Sequence, residues 1–169
     1  MKKIMIVDDN YLSAEGIEKN IDWETLNAEI IHVCYNGTSA IEAMKKEPAD
    51  LIISDIEMPD LDGISMSRQA LEINPMVKII LISAYDKFEY ARRALLLGAL
   101  DYIEKPLDYA YLIQKVKNAF ALMEKEQKNL QLLKQSRPLL TEKFFREITH
   151  LPSSEAAYRL KPYLKYLNL

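Results

Sequence analysis

Short apolar runs alternate with amphipathic stretches along the first two thirds of the chain. Each run is continuous and rich in β-branched residues, which is typical of strands buried on both faces of a parallel sheet. Five runs predict strands at Ile4–Val7, Ile30–Val33, Leu51–Ile53, Lys78–Ile82 and Leu100–Ile103. Because strand and helix patterns alternate five times, the sequence predicts an α/β fold with a five-stranded, doubly wound parallel sheet.

Breaker residues set the limits of the predicted helices. Pro48 ends the second helix, Gly63 precedes the third, and Gly98 is suited to cap the fourth. The first four helices are predicted at about 11–20, 38–47, 64–74 and 86–97. Gly16 lies inside the first helix, where glycine is unfavourable. We expect Trp23, in the connection that follows, to fill a gap in the core.

The pattern changes after Pro106. From Asp108 to about Gln135 the chain has no Pro or Gly, and seam positions recur at alternating steps of four and three, which predicts a fifth helix. The seam consists of Tyr109, Ile113, Val116, Phe120, Met123, Gln127 and Leu130. Two interpretations stay open: packing on the sheet, or a linker helix that pairs with a second copy. Two further short helices are predicted at 138–151 and 154–167.

Composition and charge narrow the class of protein. The 169 residues are 49% hydrophobic, which is enough to bury a core. The net charge of −3 combines an acidic part, residues 1–107 with 11 Lys and Arg against 19 Asp and Glu, with a basic remainder. The single cysteine, Cys34, excludes an internal disulfide, and no apolar run reaches the roughly 18–20 residues that span a bilayer. We therefore expect a cytoplasmic protein without a membrane partner.

Polar side chains follow four of the five predicted strands. They are Asp8, Asp9, Asp55, Ser83 and Lys105. In open α/β sheets, ligands bind outside the carboxyl ends of the strands. Carboxylates about 4 Å apart repel each other by roughly 4 kcal/mol at an effective dielectric of about 20, so cations are expected there. Oxygen ligands favour Mg²⁺ over zinc, and a carboxylate beside Mg²⁺, a lysine and a hydroxyl is suited to phosphoryl transfer to aspartate.

These residues belong to a set of short motifs that lie at or near the predicted strand ends. The motifs are Asp8-Asp9, Asp55 with Met58-Pro59 and Asp62-Gly63, Ser83-Ala84, and Asp101-Tyr102-Ile103-Glu104-Lys105-Pro106. Together they resemble the receiver domain of bacterial two-component response regulators over residues 1–122. The resemblance implies the flavodoxin-like strand order 2-1-3-4-5. It also implies a helical linker and the start of a connecting region at 123–169, and a signalling protein rather than an enzyme.

The resemblance assigns roles to the site residues. Asp55 would accept a phosphoryl group from the phosphohistidine of a sensor histidine kinase, and Ser83 and Lys105 would contact its oxygens. Tyr102 would move with Ser83 as an aromatic switch. The bond between Lys105 and Pro106 would be cis.

The resemblance also implies a magnesium site. Asp9 and Asp55 would bind Mg²⁺ directly and Asp8 through water, and the backbone carbonyl of Glu57 would complete the protein ligands. We expect the side chains of Glu57 and Tyr85 to set the dephosphorylation rate.

A finer resemblance concerns the output. Ile21-Asp22-Trp23, the run from Ser83 to Ala91, and Leu140-Thr141-Glu142-Lys143-Phe144 are similar to the subgroup with an AraC-type helix-turn-helix. Phosphorylation would then switch a DNA-binding output that controls transcription. A homodimer would form through the fourth helix, the fifth strand, the fifth helix and the linker helix. No AraC-type module fits after residue 138, so we expect the output domain to lie outside this chain.

The sequence leaves two other functions open, a phosphatase and a DNA-binding module. An Asp-nucleophile Mg²⁺ phosphatase has a similar sheet. Such an enzyme would carry Asp-x-Asp where this chain has Asp55-Ile56-Glu57, and it would also have a cap domain, which we do not find in this sequence. Residues 138–169 could instead bind DNA as a helix-turn-helix. Their net charge is only +2, and Pro162 falls inside the second helix.

Overall fold

The computed structural model of the chain describes residues 1–84, 92 and 98–148, with side chains as far as Leu132. Apart from Arg92, the helix predicted at 86–97 lies outside the described residues, as does the helix predicted at 154–167. Within the described ranges, no helix is long and apolar enough to cross a membrane.

Five parallel strands form one sheet in the order β2-β1-β3-β4-β5. The strands are β1 (Lys2–Val7), β2 (Ala28–Cys34), β3 (Leu51–Asp55), β4 (Lys78–Ser83) and β5 (Asp101–Glu104). The predicted fold class is confirmed, together with the strand order that the resemblance implies. Every residue of the central strand β3 is buried, whereas the edge strand β2 is mostly half-buried.

Among the described residues, three helices connect strands and a further helix follows the sheet. They are α1 (Tyr11–Asn20), α2 (Gly37–Lys46), α3 (Gly63–Ile73) and a C-terminal helix (Tyr109–Ile148). Asn10, Asn36 and Asp62 cap the first three, since each side chain accepts backbone N–H groups of the first turn. These caps explain why each helix begins close to the carboxyl end of the preceding strand.

Both faces of the sheet are covered, as the continuous apolar runs predict. On one face the strand residues Met5, Ile52 and Leu81 pack in a cluster with Met44 of α2 and Met66 of α3. Alternate residues of the same strands are also buried. The buried residues outside that cluster include Ile4, Ile53, Ile80, Ala14, Ile17, Leu112 and Val116. The core therefore lies on both sides of the sheet, and the carboxyl edge stays free for polar residues.

Trp23 is buried as predicted, and its indole nitrogen donates a hydrogen bond to the carbonyl oxygen of Glu18 at 3.2 Å. The residue follows α1 in a turn that returns the chain to β2. The indole therefore fills the edge of the hydrophobic core beside the end of α1.

The separate helix predicted to begin at Pro138 is wrong, because the C-terminal helix continues through this residue to Ile148. Proline lacks one backbone N–H and normally costs about 3 kcal/mol inside a helix. The residues on both sides, such as Leu133, Lys134, Leu139 and Leu140, are strong helix formers and offset part of that cost.

The predicted seam is only partly buried. Val116, Phe120 and Met123 are buried, whereas Gln127 and Leu130 are exposed. The chain divides into two compact units, with the boundary between Leu122 and Met123. The assignment of a receiver at 1–122 and a linker at 123–169 stays a prediction about function.

Two methionines allow a matched test of the core. Met66 is fully buried in α3, whereas Met76 is 47% exposed in the loop before β4. Met66→Ala is expected to lower the free energy of unfolding by about 2–5 kcal/mol, because it leaves a cavity. Met76→Ala is expected to change it by less than about 0.5 kcal/mol. Urea denaturation followed by the fluorescence of Trp23 measures both, and equal losses would contradict this description of the core.

Candidate functional site

The fold brings the predicted site residues to one edge of the sheet. They are Asp8, Asp9, Asp55, Ser83 and Lys105. The first two follow β1, the next two end β3 and β4, and the lysine follows β5. Because β1, β3, β4 and β5 are neighbours in that order, their carboxyl ends lie side by side. Parallel pairing thus unites residues that are almost a hundred positions apart in the sequence.

Three carboxylates form a compact acidic cluster. One oxygen from each of Asp8, Asp9 and Asp55 lies within 4.8 Å of the others. Asp8 and Asp55 are buried, with exposed fractions of 1% and 6%, whereas Asp9 is exposed. Three oxygen donors with one side open to solvent fit a hard divalent cation such as Mg²⁺, which prefers oxygen and retains water ligands. The cluster could therefore hold a metal ion.

Lys105 connects the two buried carboxylates. Its Nζ lies 3.1 Å from Oδ2 of Asp8 and 3.0 Å from Oδ2 of Asp55. The remaining oxygen of Asp8 accepts the N–H of Asn10 at 2.9 Å, and that of Asp55 accepts the N–H of Ile56 at 2.8 Å. Each buried carboxylate thus has both oxygens hydrogen-bonded. One ammonium group faces three carboxylates, which leaves a net negative charge for a cation to balance.

The ionisation of Asp55 is disfavoured in this environment. Burial raises the pKa of its carboxyl group, and the nearby charge of Asp8 raises it further. Lys105 opposes both effects without cancelling them. The pKa of Lys105 itself is raised: burial lowers it, but the hydrogen bonds and charges of the two carboxylates outweigh burial. The lysine therefore stays charged, and a second cation would relieve the remaining repulsion.

Gly63 fixes the loop that follows Asp55. A Cβ atom at this position would overlap the carbonyl oxygen of Asp55 and lie 2.9 Å from Cα of Ile56. The N–H of Gly63 donates to the carbonyl oxygen of Ile56 at 2.9 Å, and Asp62 caps α3 beside it. In the sequence the Asp62-Gly63 pair is only part of a motif, whereas in the structure the close backbone approach at position 63 requires glycine.

Gly37 supports the same loop from the other side. A Cβ atom here would overlap the carbonyl oxygen of Leu61 and come within 2.8 Å of its Cβ. The sequence offered no specific signal for this role. The two glycines thus allow the segment from Asp55 to Gly63 to approach the start of α2 at Leu61 and to fold back on the backbone of Asp55 and Ile56 at Gly63.

The proposed switch residues share one face of the sheet. Leu81 and Ser83 are two residues apart in β4, and Tyr102 of β5 pairs with Leu81. Tyr102 is half-buried and packs against the hydrophobic cluster that contains Leu81. Ser83 is fully buried, and its carbonyl oxygen accepts the N–H of Lys105 at 2.8 Å.

Three further predictions concern the rim of the site. Glu57 follows the phosphoacceptor candidate and is half-buried. Tyr85 lies outside the described residues. The bond between Lys105 and Pro106 is cis, which confirms the geometry that the resemblance implies.

Comparison with known proteins decides the family. Residues 4–117 match the response regulator receiver domain. The chain belongs to this family. Among solved structures, the receiver domain of AraT, a response regulator from Geobacillus stearothermophilus, is 34% identical with a TM-score of 0.70, covering 75% of this chain and 98% of that one. A two-component transcriptional regulator AraC from Clostridium phytofermentans is 30% identical with a TM-score of 0.67, covering 76% and 99%.

A curated relative extends beyond the receiver. The transcriptional regulatory protein YesN of Bacillus subtilis, which is described as uncharacterized, is 29% identical over 126 residues. The match covers 75% of this chain but only 34% of YesN, so the chain spans about a third of that relative's length. The chain thus contains a receiver domain of a two-component system and has relatives among transcriptional regulators.

Removing the charge of Asp55 is expected to stabilise the metal-free protein at neutral pH. Because the pKa of Asp55 is raised above its ordinary 3.8 in the folded state, ionisation lowers the free energy of unfolding as the pH rises through the folded pKa. Asp55→Asn avoids this loss, so its advantage over wild type should shrink as the pH falls toward 3.8. Urea unfolding at several pH values without divalent ions measures the difference.

Asp22→Asn provides a control of opposite sign. The side-chain hydroxyl of Thr25 and, to a smaller extent, its backbone N–H donate hydrogen bonds that lower the pKa of Asp22. The ionised form of Asp22 therefore stabilises the fold. This variant should therefore be less stable than wild type at neutral pH. An Asp55→Asn protein that loses stability at neutral pH would contradict the electrostatic description of the site.

Proposed function

We propose that Asp55 accepts a phosphoryl group from the phosphohistidine of a sensor histidine kinase. The observation that carries this proposal is the position of Asp55, whose carboxylate lies 3.0 Å from Nζ of Lys105 inside the acidic cluster. A carboxylate oxygen would attack phosphorus while the bond to the histidine nitrogen breaks and its electron pair returns to the imidazole. Membership of the receiver family supports this role.

Lys105 and Ser83 would stabilise the phosphoryl group on Asp55. The ammonium of Lys105 already bridges two carboxylates and would neutralise charge on the incoming oxygens. The hydroxyl of Ser83, at the neighbouring strand end, would donate a hydrogen bond to one of them. Binding of the group thus requires Lys105 to exchange part of its contact with Asp55 for contact with the phosphoryl oxygens.

Asp9 and Asp55 would bind Mg²⁺ directly and Asp8 through water, with the backbone carbonyl of Glu57 as a further ligand. The acidic cluster supports this assignment because it offers oxygen donors and excess negative charge. When bound, the ion supplies neutralisation of the transferring oxygens. Before phosphorylation, the hydrogen bonds from Lys105 would orient the carboxylates of Asp8 and Asp55.

Phosphorylation would switch an output through Ser83 and Tyr102. Drawing the Ser83 hydroxyl toward the phosphoryl group would change the space beside Tyr102, which shares its face of the sheet. The effect would shift an existing equilibrium between an inactive and an active form. By analogy with transcriptional relatives, the output would be a DNA-binding domain of AraC type that controls transcription in the cytoplasm. The receiver domain itself would catalyse only its own phosphorylation and dephosphorylation, and every other effect would come from that output domain.

Two alternatives have no observation in their favour. A phosphatase of similar sheet architecture would turn over small phosphate esters, and the family match points to a signalling domain instead. DNA binding by residues 138–169 concerns side chains outside the described residues.

Phosphorylation of Asp55 is testable by intact mass. After incubation with acetyl phosphate and Mg²⁺, wild type should gain the mass of one phosphoryl group, and Asp55→Asn should gain none. Asp62→Asn is the matched control, because Asp62 caps α3 with hydrogen bonds of 2.9 Å that asparagine can replace. It should be modified like wild type. The proposal would be wrong if Asp55→Asn gained the phosphoryl mass, or if none of the three proteins did.

Dimerisation through the linker helix is a separate proposal. Leu130 is 46% exposed on the C-terminal helix and belongs to the seam that continues beyond residue 122. A second copy of the chain would cover it in the phosphorylated form. Sedimentation with and without a phosphate mimic should show a larger dimer fraction with it, and Leu130→Lys should abolish the increase. A monomer at every concentration in both states would exclude this dimer.

A further inference from the structure

Two of the connections that follow the strands carry the acidic pair and the lysine of the site. Asp8 and Asp9 lie between β1 and α1, and Asp8 accepts the N–H of Asn10, which caps α1. Lys105 lies between β5 and the C-terminal helix. The distance from the lysine to the carboxylates therefore depends on how these two connections are held relative to each other.

A cavity of about 330 Å³ separates the two connections beside the site. Leu12 and Ile17 line it from α1, and Pro106 and Leu107 line it from the lysine connection. Asp8 and Lys105 border the same cavity. Packing between the two walls is therefore incomplete here, and besides the ion pair of Lys105 with Asp8 a further contact between them bears on their spacing.

Tyr109 provides that contact at Gly16. A Cβ atom built on Gly16 would lie 2.5 Å from the hydroxyl oxygen of Tyr109 and 3.7 Å from Cζ of its ring. Tyr109 is the first residue of the C-terminal helix and stands four positions after Lys105. The hydroxyl thus occupies the space that any larger residue at position 16 would need. This contact also explains a glycine inside α1, where alanine would ordinarily favour the helix.

The chain between Lys105 and Tyr109 is short and is held by hydrogen bonds at both ends. The N–H of Lys105 donates to the carbonyl oxygen of Ser83 at 2.8 Å. Asp108 caps the C-terminal helix by accepting the N–H of Ala110 at 2.9 Å. Only three residues lie between Lys105 and Tyr109, so the contact of Tyr109 with Gly16 holds the start of the helix, and with it the lysine connection, beside α1.

We propose that Gly16 and Tyr109 are positioning residues that set the distance of Lys105 from Asp8 and Asp55, and thereby the rate at which Asp55 accepts a phosphoryl group. This inference rests on the proposed function of Asp55. It assigns no contact with the phosphoryl group to either residue. Both act through Lys105, whose charge-assisted hydrogen bonds depend steeply on distance.

The test compares Gly16→Ala in three backgrounds, using acetyl phosphate with Mg²⁺ and intact mass against time. In the otherwise wild-type chain, Gly16→Ala should slow phosphorylation on the order of tenfold or more. In the Tyr109→Phe background it should change the rate less than about twofold, because the nearest ring atom is then 3.7 Å away, an ordinary contact. In the Lys105→Met background it should also have little effect, because the residue through which it acts is missing.

Two further measurements separate positioning from general damage. Titration with Mg²⁺ alone should give Gly16→Ala an affinity no weaker than wild type, since the acidic cluster does not include the lysine connection. Tyr109→Ala, which empties the contact without a clash, should slow phosphorylation as well. This second variant keeps the proposal testable if Gly16→Ala does not fold by circular dichroism.

The outcomes distinguish the two proposals. If wild type takes up no phosphoryl group, the proposed function of Asp55 fails and the positioning role falls with it. If wild type is phosphorylated and Gly16→Ala reacts at the same rate, only the positioning role is overturned. The same holds if Gly16→Ala is equally slow in the Tyr109→Phe or the Lys105→Met background, because its effect would then arise elsewhere.

Discussion

The contact of one lysine with two buried carboxylates is the constraint on which the site depends. Lys105 lies about equally far from Asp8 and Asp55, and both carboxylates are almost fully removed from water. Burying a charge is costly unless it is paired and hydrogen-bonded. Three strands must therefore end at the same level, and the connections after them must be held within narrow limits. The raised pKa of Asp55 shows that the pairing only partly compensates the burial.

Glycines and helix caps hold these connections where side chains would not fit. Gly63 lets α3 approach the backbone of Asp55 and Ile56, and Gly16 leaves room for the Tyr109 hydroxyl. Asn10 caps α1 directly after the acidic pair. The glycines weaken their helices in exchange for close approach at the site, whereas the caps stabilise the first turns. The two-sided apolar core offsets that weakness, because it is built from strands that need no polar residues until they end.

Much of the fold was predictable because its signals are local. Continuous runs such as that at Leu51–Ile53 identify strands covered on both faces, and every predicted run overlaps an observed strand. The prediction failed at Pro138, where a proline was interpreted as the start of a new helix. Helix formers on both sides carried the C-terminal helix through it. The strand order and the cis bond before Pro106 came from a family resemblance rather than from periodicity.

The sequence by itself determined which residues could do chemistry, since carboxylates, a hydroxyl and a lysine directly follow apolar runs. Only the tertiary structure decided that Asp55 is buried, that Lys105 bridges it to Asp8, and that Tyr109 meets Gly16. Those facts depend on contacts between residues that are 50 to 97 positions apart in the sequence. Distance along the chain carries no information about such contacts, whereas burial and electrostatic interaction depend on distance in space alone.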